Sequence, residues 1–515
     1  MVQILRLVSL ALCAIWASGS PLGNSSCPHG LCSTTSAKIG PAQVAHELGP
    51  LLSKRASVFG PQDHRWEETN KNWNEYGSPN FTVVVEAGQE SDIPIIIKYA
   101  NRHGINFYTR NRGHAVTASR AKFHGLQINM QQLRGYTISP NRKYATIQGG
   151  AYGEELIDEL YKHNLTATTG SCSCVGLLGP ALGGGWGKWQ GHHGLISDNI
   201  LSLNMVLANG SAITVNSTSY PDLFWGMRGA GHNFGVVTSV DLKVHPLKYK
   251  TWYQKNYVFT QDKLEPLFEQ LNKLNDDGNQ PLQMAEQSGT FALDPAVNAS
   301  EATITWQFSW AGEQADAEKH LAPFDALGPA TTQNLTVPYP KVAEAAGSAI
   351  GQQLCDEGIA RAVGPATLLR YNITTQRQIF DLYNKKIFVH PALNYTFVVM
   401  EAYSQQAVRA IDGASSAYPW RDENLYMQTT VSYPKGEEDA YADFAIEWVE
   451  ENQRLFNEGQ PGRRPVSYVN YGSGRESVEA TYGYEPWRLE KLRDLKKKYD
   501  PENKFAYFGP IIPPK

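Results

Sequence analysis

Apolar and polar positions change rhythm near Tyr249, and the change divides the chain. Before it, short apolar runs alternate with amphipathic stretches. A helical pattern at 44–53 is followed by a strand at 82–85, an amphipathic helix at 90–102, and a strand at 106–109 that delivers a turn at Arg110. A strand at 145–151 ends in glycines and leads into a helix at 153–163, and Asn209-Gly210 between apolar runs at 203–207 and 212–215 signals a hairpin. After Tyr249 the strands lengthen. Those at 303–310 and 396–402 alternate large apolar with polar residues, which suits an antiparallel sheet with one wet face, and helical stretches at 264–275 and 437–451 would cover the other. The expected class is α+β, and 515 residues are too many for one ordinary core, so two substantial domains are expected.

Composition narrows the partners. A formal charge of −4 and a pI near 6.4 leave no electrostatic footprint for nucleic acid, and Lys496-Lys497-Lys498 reads as a solvated helix face. Arg6, the apolar run 7–16 and the small residues 17–20 read as a signal peptide over 1–19, and no later segment is apolar enough for a membrane anchor. Asn24, Asn80, Asn164, Asn209, Asn216, Asn298, Asn334, Asn372 and Asn394 each head an Asn-x-Ser/Thr sequon, which fits a secreted or lumenal protein. Cys13 leaves with the leader. Of the remaining cysteines, Cys27 and Cys32 could close a small loop, while Cys174 and Cys355 are either free and buried or paired.

The chemistry concentrates in two glycine-bearing segments. Arg110-Asn111-Arg112-Gly113-His114 sets arginines, a glycine and an imidazole at a turn, where backbone N–H groups can approach a pyrophosphate and the imidazole a ring system. Gly170-Ser171-Cys172-Ser173-Cys174-Val175-Gly176 and Gly183-Gly184-Gly185-Trp186-Gly187 add a thiol and a second close-approach run, and together they read as a flavin site. No Gly-x-Gly-x-x-Gly occurs, and Gly187-Lys188 fails as a P-loop because Leu182 and Trp189 stand where glycine and Ser/Thr are needed. Adjacent His192-His193, the Cys172-x-Cys174 spacing and the lack of His-Glu-x-x-His argue against a metal site, and Gly-x-Ser-x-Gly is absent. His192 and His193 are expected to cap the approach to the flavin.

These segments, with His193-Gly194-Leu195, Asp198-Asn199, the stretch Gly229 to Val237, Asn470-Tyr471 and the stretch Tyr499 to Phe505, resemble the vanillyl-alcohol oxidase superfamily and, within it, the berberine bridge enzyme-like branch. The resemblance runs from about Pro79 onward, and its Arg-x-Arg-Gly-His form is similar to fungal members. It implies an N-terminal segment (20–75), a PCMH-type FAD-binding domain (76–247), an antiparallel-sheet substrate domain with covering helices (248–455), and a C-terminal segment (456–515) returning to the FAD domain. It also implies FAD attached twice, through His114 to its 8α carbon and through Cys172 to its 6 position, with Cys174 the rival for the second bond. The residues it places around the cofactor are Arg110, Asn111, Arg112, Gly113, Ala115, Val175, Gly176, Gly179, Gly184, Gly185, Gly187, His193, Asp198, Asn199, Val236, Val237 and Asn470. Arg112 departs from the family's usual glycine, so its side chain must point away from the phosphates or donate to them.

By the same resemblance, Tyr471 faces the substrate as the catalytic residue. A phenol is a poor base near neutrality, so a neighbouring cation, with Arg475 and Arg421 the candidates, or hydrogen bonds to the phenolate would have to lower its pKa. Some members use a carboxylate after a Pro-x-Arg turn. Here that turn is Pro419-Trp420-Arg421, and Met427 stands where the acid is expected, which leaves Tyr471 assisted by Gln428 or Tyr468 unless Glu401 reaches the cleft. The implied activity is oxidation of a C–H bond beside oxygen, nitrogen or an aromatic ring in a small secondary metabolite such as a polyketide or alkaloid, with dioxygen reduced to peroxide. One alternative is an oligosaccharide oxidase, with Trp306, Trp310 and Tyr403 stacking on sugars. The other is a non-redox cyclase or flavin-carrying binding protein, kept open by Met427.

Overall fold

The computed structural model describes residues 39–511, so the leader, Asn24 and the Cys27/Cys32 pair lie outside the described residues. A four-stranded sheet comes first in the chain. Its order is Ser57–Phe59, Asn80–Glu86, His124–Asn129, Phe107–Arg110, with the last three parallel and the first antiparallel. Ile93, Ile96 and Ile97, spaced to share one face of the helix Asp92–Arg102, pack on Val83, Val85 and Ile128 of this sheet. The crossover through that helix is what sends the strand Phe107–Arg110 out beside its neighbour with Arg110 at its end. A five-stranded antiparallel sheet follows, ordered Tyr136–Ile138, Tyr144–Gln148, Val236–Lys243, Ile200–Val206, Ala212–Asn216. The Asn209-Gly210 turn joins its last two strands, with Gly210 at φ 81°.

The largest sheet is antiparallel throughout, ordered Thr331–Pro338, Thr251–Phe259, Asn298–Ala311, Met284–Asp294, Phe397–Tyr403, Leu425–Pro434, Ile359–Leu368. One face carries Ile304, Trp306, Phe308, Val398, Met400 and Met427 into a core shared with the helices Leu264–Asn275, Gln314–Asp325, Ile373–Ile387 and Glu438–Glu458. The other face is not wet where the strand 396–402 was expected to meet water. Its Phe397, Val399, Glu401 and Tyr403 line an internal cavity instead. Period-2 alternation distinguishes two faces but cannot say whether the second meets solvent or another layer of protein.

The tail returns to the first half of the chain. Leu489, Leu492, Leu495 and Tyr499 of the helix Pro486–Tyr499 are buried with Ala145, Ile147, Leu203 and Val240. Lys497 and Lys498 are exposed, but Lys496 corrects the expectation of a solvated face. It is fully buried, its ammonium bonded to Asp500 at 2.6 Å and to the carbonyls of Asn233 and Phe505 at 3.1 and 2.8 Å. Two carbonyls and a carboxylate replace its hydration, as a buried ammonium requires. Among the described residues no helix is long and apolar enough to cross a membrane, and no group of three or more His, Cys, Asp or Glu side chains could hold a metal.

Candidate active site

A cavity of about 360 Å³ is lined by the Arg110 turn, the Gly170–Gly176 segment, Val236 and Val237 of the five-stranded sheet, the cavity-facing edge of Phe397–Tyr403, and Asn470 and Tyr471. Its size lies within the roughly 300–1,000 Å³ usual for cofactor sites. At its polar end the strand Phe107–Arg110 stops and the chain turns. Gly113 takes the left-handed conformation there (φ 72°), whereas Arg112 does not, so the arginine in the usual glycine position causes no backbone strain. The Arg110 guanidinium is spent on protein, donating to Asn72 Oδ1 at 3.0 Å and to the Lys71 carbonyl. Arg112 lies over the Tyr152 ring at 3.5 Å with its Nε and Nη2 unpartnered. Burial pulls both arginines down to about 10.

His114 is held by packing. Its ring stacks on Trp73 at 4.7 Å and 20°, and Arg361 sits over the same indole at 4.1 Å. Burial first, and Arg361 second, lower the imidazole to about 3, so His114 is neutral with a free nitrogen lone pair at any working pH. Its Nε2 lies 3.8 Å from Cys174 Sγ. Cys174 is bonded to Cys355, with Cα atoms 5.9 Å apart, which settles the pairing the sequence left open and removes Cys174 as a rival thiol. Cys172 is the free cysteine among the described residues and lines the cavity, and burial, with Glu401 second, pushes its thiol up to about 12.

The lining carries the groups that a bound FAD would need. Asn111 leaves both side-chain polar atoms unpartnered, as Arg112 leaves two donors, at the end where a pyrophosphate would need them. At Gly170 and Gly179 a Cβ would meet nothing within 4 Å, so a side chain there would enter the cavity rather than the protein. Unpaired buried donors at one end and a thiol and neutral imidazole along the wall fit the group.

The structure divides the residues expected around the cofactor. His114, Cys172, Arg110, Asn111, Arg112, Gly113, Ala115, Val175, Gly176, Gly179, Val236, Val237 and Asn470 all line the cavity. Gly184, Gly185, Gly187, His193, Asp198 and Asn199 do not. The glycines make room for protein, since a Cβ would meet Tyr418 at 2.6 Å from Gly184, Ile196 at 2.7 Å from Gly185, and the Thr169 carbonyl from Gly187. His193 stacks on His245 at 3.7 Å, so it does not cap the cavity, and His192 is not part of the lining either. Asp198 pairs with Arg421 at 2.7 Å, and the Asn199 amide donates to the carbonyls of His193 and Leu195. These six residues form the support behind the site.

At the other end, the Tyr471 hydroxyl donates to Glu401 Oε2 at 2.6 Å. Burial, followed by the neighbouring Glu286 charge, raises Glu401 to about 7 against the pull of the Tyr471 hydrogen bond and Lys188. Tyr471 itself lies well above the usual phenol, through burial and then the Glu401 carboxylate. That overturns the expectation of a phenolate stabilised by arginine. Arg421 is committed to Asp198, and Arg475 pairs with Glu450 at 3.0 Å and the Val363 carbonyl at 3.2 Å. Met427 corrects a second expectation. It points into the helix-covered core opposite Met400, and Gln428, one residue on, faces the cavity with its Nε2 donating to Thr430 at 3.1 Å. The cavity's acid comes from the neighbouring strand, as Glu401. Of the proposed sugar-stacking residues, Trp306 and Trp310 belong to the core beneath the sheet, and Tyr403 alone reaches the cavity. Tyr468 lines it too, its oxygen accepting from the Gly185 amide and the Asn470 side chain. Trp186, Phe397 and Val399 also line the cavity, as does Trp73 where it stacks on His114, and none of the four was assigned to the site from the sequence. The alternation Phe397-x-Val399-x-Glu401-x-Tyr403 was the available signal for two of them; Trp73 sits in a loop with no periodicity.

Comparison with known proteins agrees with this geometry. Residues 81–216 match an FAD binding domain family, and residues 467–511 match the family described as berberine and berberine like. The backbone superposes on glucooligosaccharide oxidase from Acremonium strictum, which carries a 6-S-cysteinyl, 8α-N1-histidyl FAD, with a TM-score of 0.77, 19% identity and coverage of 92% of this chain and 99% of that one. It also superposes on 6-hydroxy-D-nicotine oxidase from Arthrobacter nicotinovorans (TM-score 0.73, 22% identity, 90% and 99% covered), so the fold is shared by proteins named for chemically unlike substrates. Sequence similarity is much stronger to the FAD-linked oxidoreductase anuG of Penicillium roqueforti, 54% identical over 512 residues, or 99% of this chain and 100% of that protein. With identity sustained along both whole chains and a cavity furnished for the cofactor, this protein belongs to the berberine bridge enzyme-like FAD-linked oxidoreductases.

Proposed function

We propose that this FAD-dependent enzyme oxidises a CH–XH unit, with X oxygen or nitrogen, on an apolar secondary metabolite of polyketide or alkaloid type, and that dioxygen takes the electrons and becomes peroxide. The observation that carries this reading is the Tyr471–Glu401 hydrogen bond at the cavity wall. A substrate X–H that donates to the Tyr471 oxygen can pass its proton there while the Tyr471 proton moves to Glu401. The phenol then never has to ionise, which its high pKa forbids, and a carboxylate near 7 is matched to base catalysis at neutral pH. Bound FAD supplies the electron sink.

The covalent links are assigned to His114 and Cys172. His114 is neutral, clamped by Trp73 and part of the cavity lining, so an imidazole lone pair is available there for the 8α bond. Phe397 and Val399 share the cavity face with Glu401 and favour an apolar substrate body. The oligosaccharide reading loses two of its three stacking surfaces, and the non-redox reading loses its premise once Glu401 supplies an acid. A secretory route is also proposed. It is supported by the Cys174–Cys355 disulfide and by the placement of Asn80, Asn164, Asn209, Asn216, Asn298, Asn334, Asn372 and Asn394, none of which is buried.

The test is peroxide release from the secreted holoenzyme with aryl carbinols, cyclic alkaloid amines and oligosaccharides. Peroxide is expected from carbinols or amines, with loss in Glu401→Gln. Efficient turnover of the sugars alone would turn the assignment to a carbohydrate oxidase, and unbleached flavin with every compound would favour the non-redox alternative.

A further inference from the structure

Behind Glu401 lies a buried ion pair that the reaction as described does not use. Lys188 Nζ is paired with Glu286 Oε2, and the two side chains are only 5% and 8% exposed. A buried pair of this kind is weak evidence for stability, because apolar residues of similar volume are commonly as good or better. The backbone is also adjusted to make it. Met284 points into the helix-covered core, and strict alternation would send Glu286 to the same side. A register irregularity between Met284 and Glu286 shifts the strand by one residue. Glu286 therefore pairs across the sheet with Tyr403, on the cavity-facing side, while Gln287 takes the core side and accepts from the Trp306 indole. Bulges that re-aim one side chain recur beside active sites.

The re-aimed carboxylate joins a continuous chain. The Tyr403 hydroxyl is 3.0 Å from Glu286 Oε1 and 3.4 Å from Glu401 Oε1, with Ser171 Oγ at 3.1 Å. One hydroxyl proton serves one carboxylate at a time. When Tyr403 donates to Glu286, its oxygen is free to accept from a protonated Glu401, and when Glu401 is ionised Tyr403 can donate to it instead. Lys188 closes the far end at a crevice of about 20 Å³, shared with Ser171, Ser173, Glu154 and Tyr339, which has room for about one water beside the ammonium.

We propose that Lys188 and Glu286, acting through the Tyr403 hydroxyl, are positioning residues that govern when Glu401 is free to take the substrate proton. The inference rests on the reading of Glu401 as proton acceptor. The groups facing Glu401 are Tyr403 on its own strand, Glu286 on one neighbouring strand, Tyr426 and Gln428 on the other, Tyr471 and Tyr468 from the C-terminal segment, Cys172 and Lys188 from the glycine-bearing loops, and Tyr371 further off. Among them Glu286 is the negative neighbour that favours the protonated form, and Lys188 is the positive neighbour that opposes it.

The test needs no substrate. The protonated-carboxyl C=O stretch of Glu401, identified by its loss in Glu401→Gln, is titrated by infrared difference spectroscopy in the resting holoenzyme. Glu286→Gln is expected to move the midpoint down by about one pH unit, Lys188→Met to move it up by a similar amount, and Lys188→Arg to restore it. Near-UV circular dichroism identifies folded variants, and either charge-removing variant suffices if the other misfolds. An unmoved midpoint in folded Glu286→Gln or Lys188→Met overturns the inference. Failure of the underlying reading is distinguishable: Glu401→Gln would then oxidise the carbinol or amine panel as fast as wild type, whatever the midpoints do.

Discussion

Tyr471 and Glu401, seventy positions apart in sequence, meet through a hydroxyl–carboxylate hydrogen bond of 2.6 Å at the wall of the cofactor cavity. In the proposed reaction the pair would divide the work of a base: the phenol would present an oxygen to the substrate and the carboxylate would hold the proton, so neither would have to adopt a charge state that its surroundings forbid.

Glu401 carries a stability cost that can be measured. Its folded pKa is about 7, above the ordinary 4.5, so between those values the folded state binds more protons than the unfolded chain and stability falls as pH rises. Glu401→Gln removes the penalty. It is expected to stabilise the protein at pH 8 by on the order of 1–3 kcal/mol and to leave it near wild type at pH 4.5, as read by denaturant unfolding at the two pH values.

The Cys174–Cys355 disulfide joins positions 181 residues apart and fastens the turn that carries Cys172. The Ser173 amide donates to the Ser348 carbonyl at 3.1 Å, and the Trp73 indole donates to the Leu354 carbonyl at 2.8 Å. Cys355→Ser should cost about 2–4 kcal/mol in denaturant unfolding. Since Trp73 still clamps His114, the histidyl link to flavin should survive denaturing electrophoresis in this variant.

Covalent attachment separates the two proposed links. Wild-type chain should retain flavin fluorescence on a denaturing gel and gain the mass of one FAD. His114→Ala and Cys172→Ala should each keep one bond, and only the double substitution should release the cofactor. Retention in the double variant would mean that another side chain forms a link.

The parts of the site set by local chain chemistry were legible in the sequence. The Arg110–His114 turn and the Cys172 segment owe their shape to nearby glycines, and both line the cavity. What depended on register was not legible. Whether Met427 or Gln428 faces the cavity is a one-residue question that exchanges every side chain between faces, and pairing with Phe397–Tyr403 answers it. Glu286 is harder still, because a bulge reverses its alternation. The Gly183–Gly187 run announced a close approach without saying to what. It is Asn470 and Val469 at Gly183, then Tyr418, Ile196 and the Thr169 carbonyl that come near, and Trp186 within the run is the residue that reaches the cavity. The long strands and covering helices followed from periodicity, whereas burial of the second sheet face followed from tertiary stacking that no single strand encodes.

The most direct test of the Tyr471–Glu401 assignment is the pH dependence of anaerobic flavin bleaching by the fastest carbinol or amine of the panel, in wild type and Glu401→Gln. The rate in wild type should fall about tenfold per pH unit below about 7. Glu401→Gln should be slower by roughly 10²–10⁴-fold and lack that limb. A Glu401→Gln enzyme that bleaches at the wild-type rate, or that keeps the same acidic limb, would contradict Glu401 as the proton acceptor.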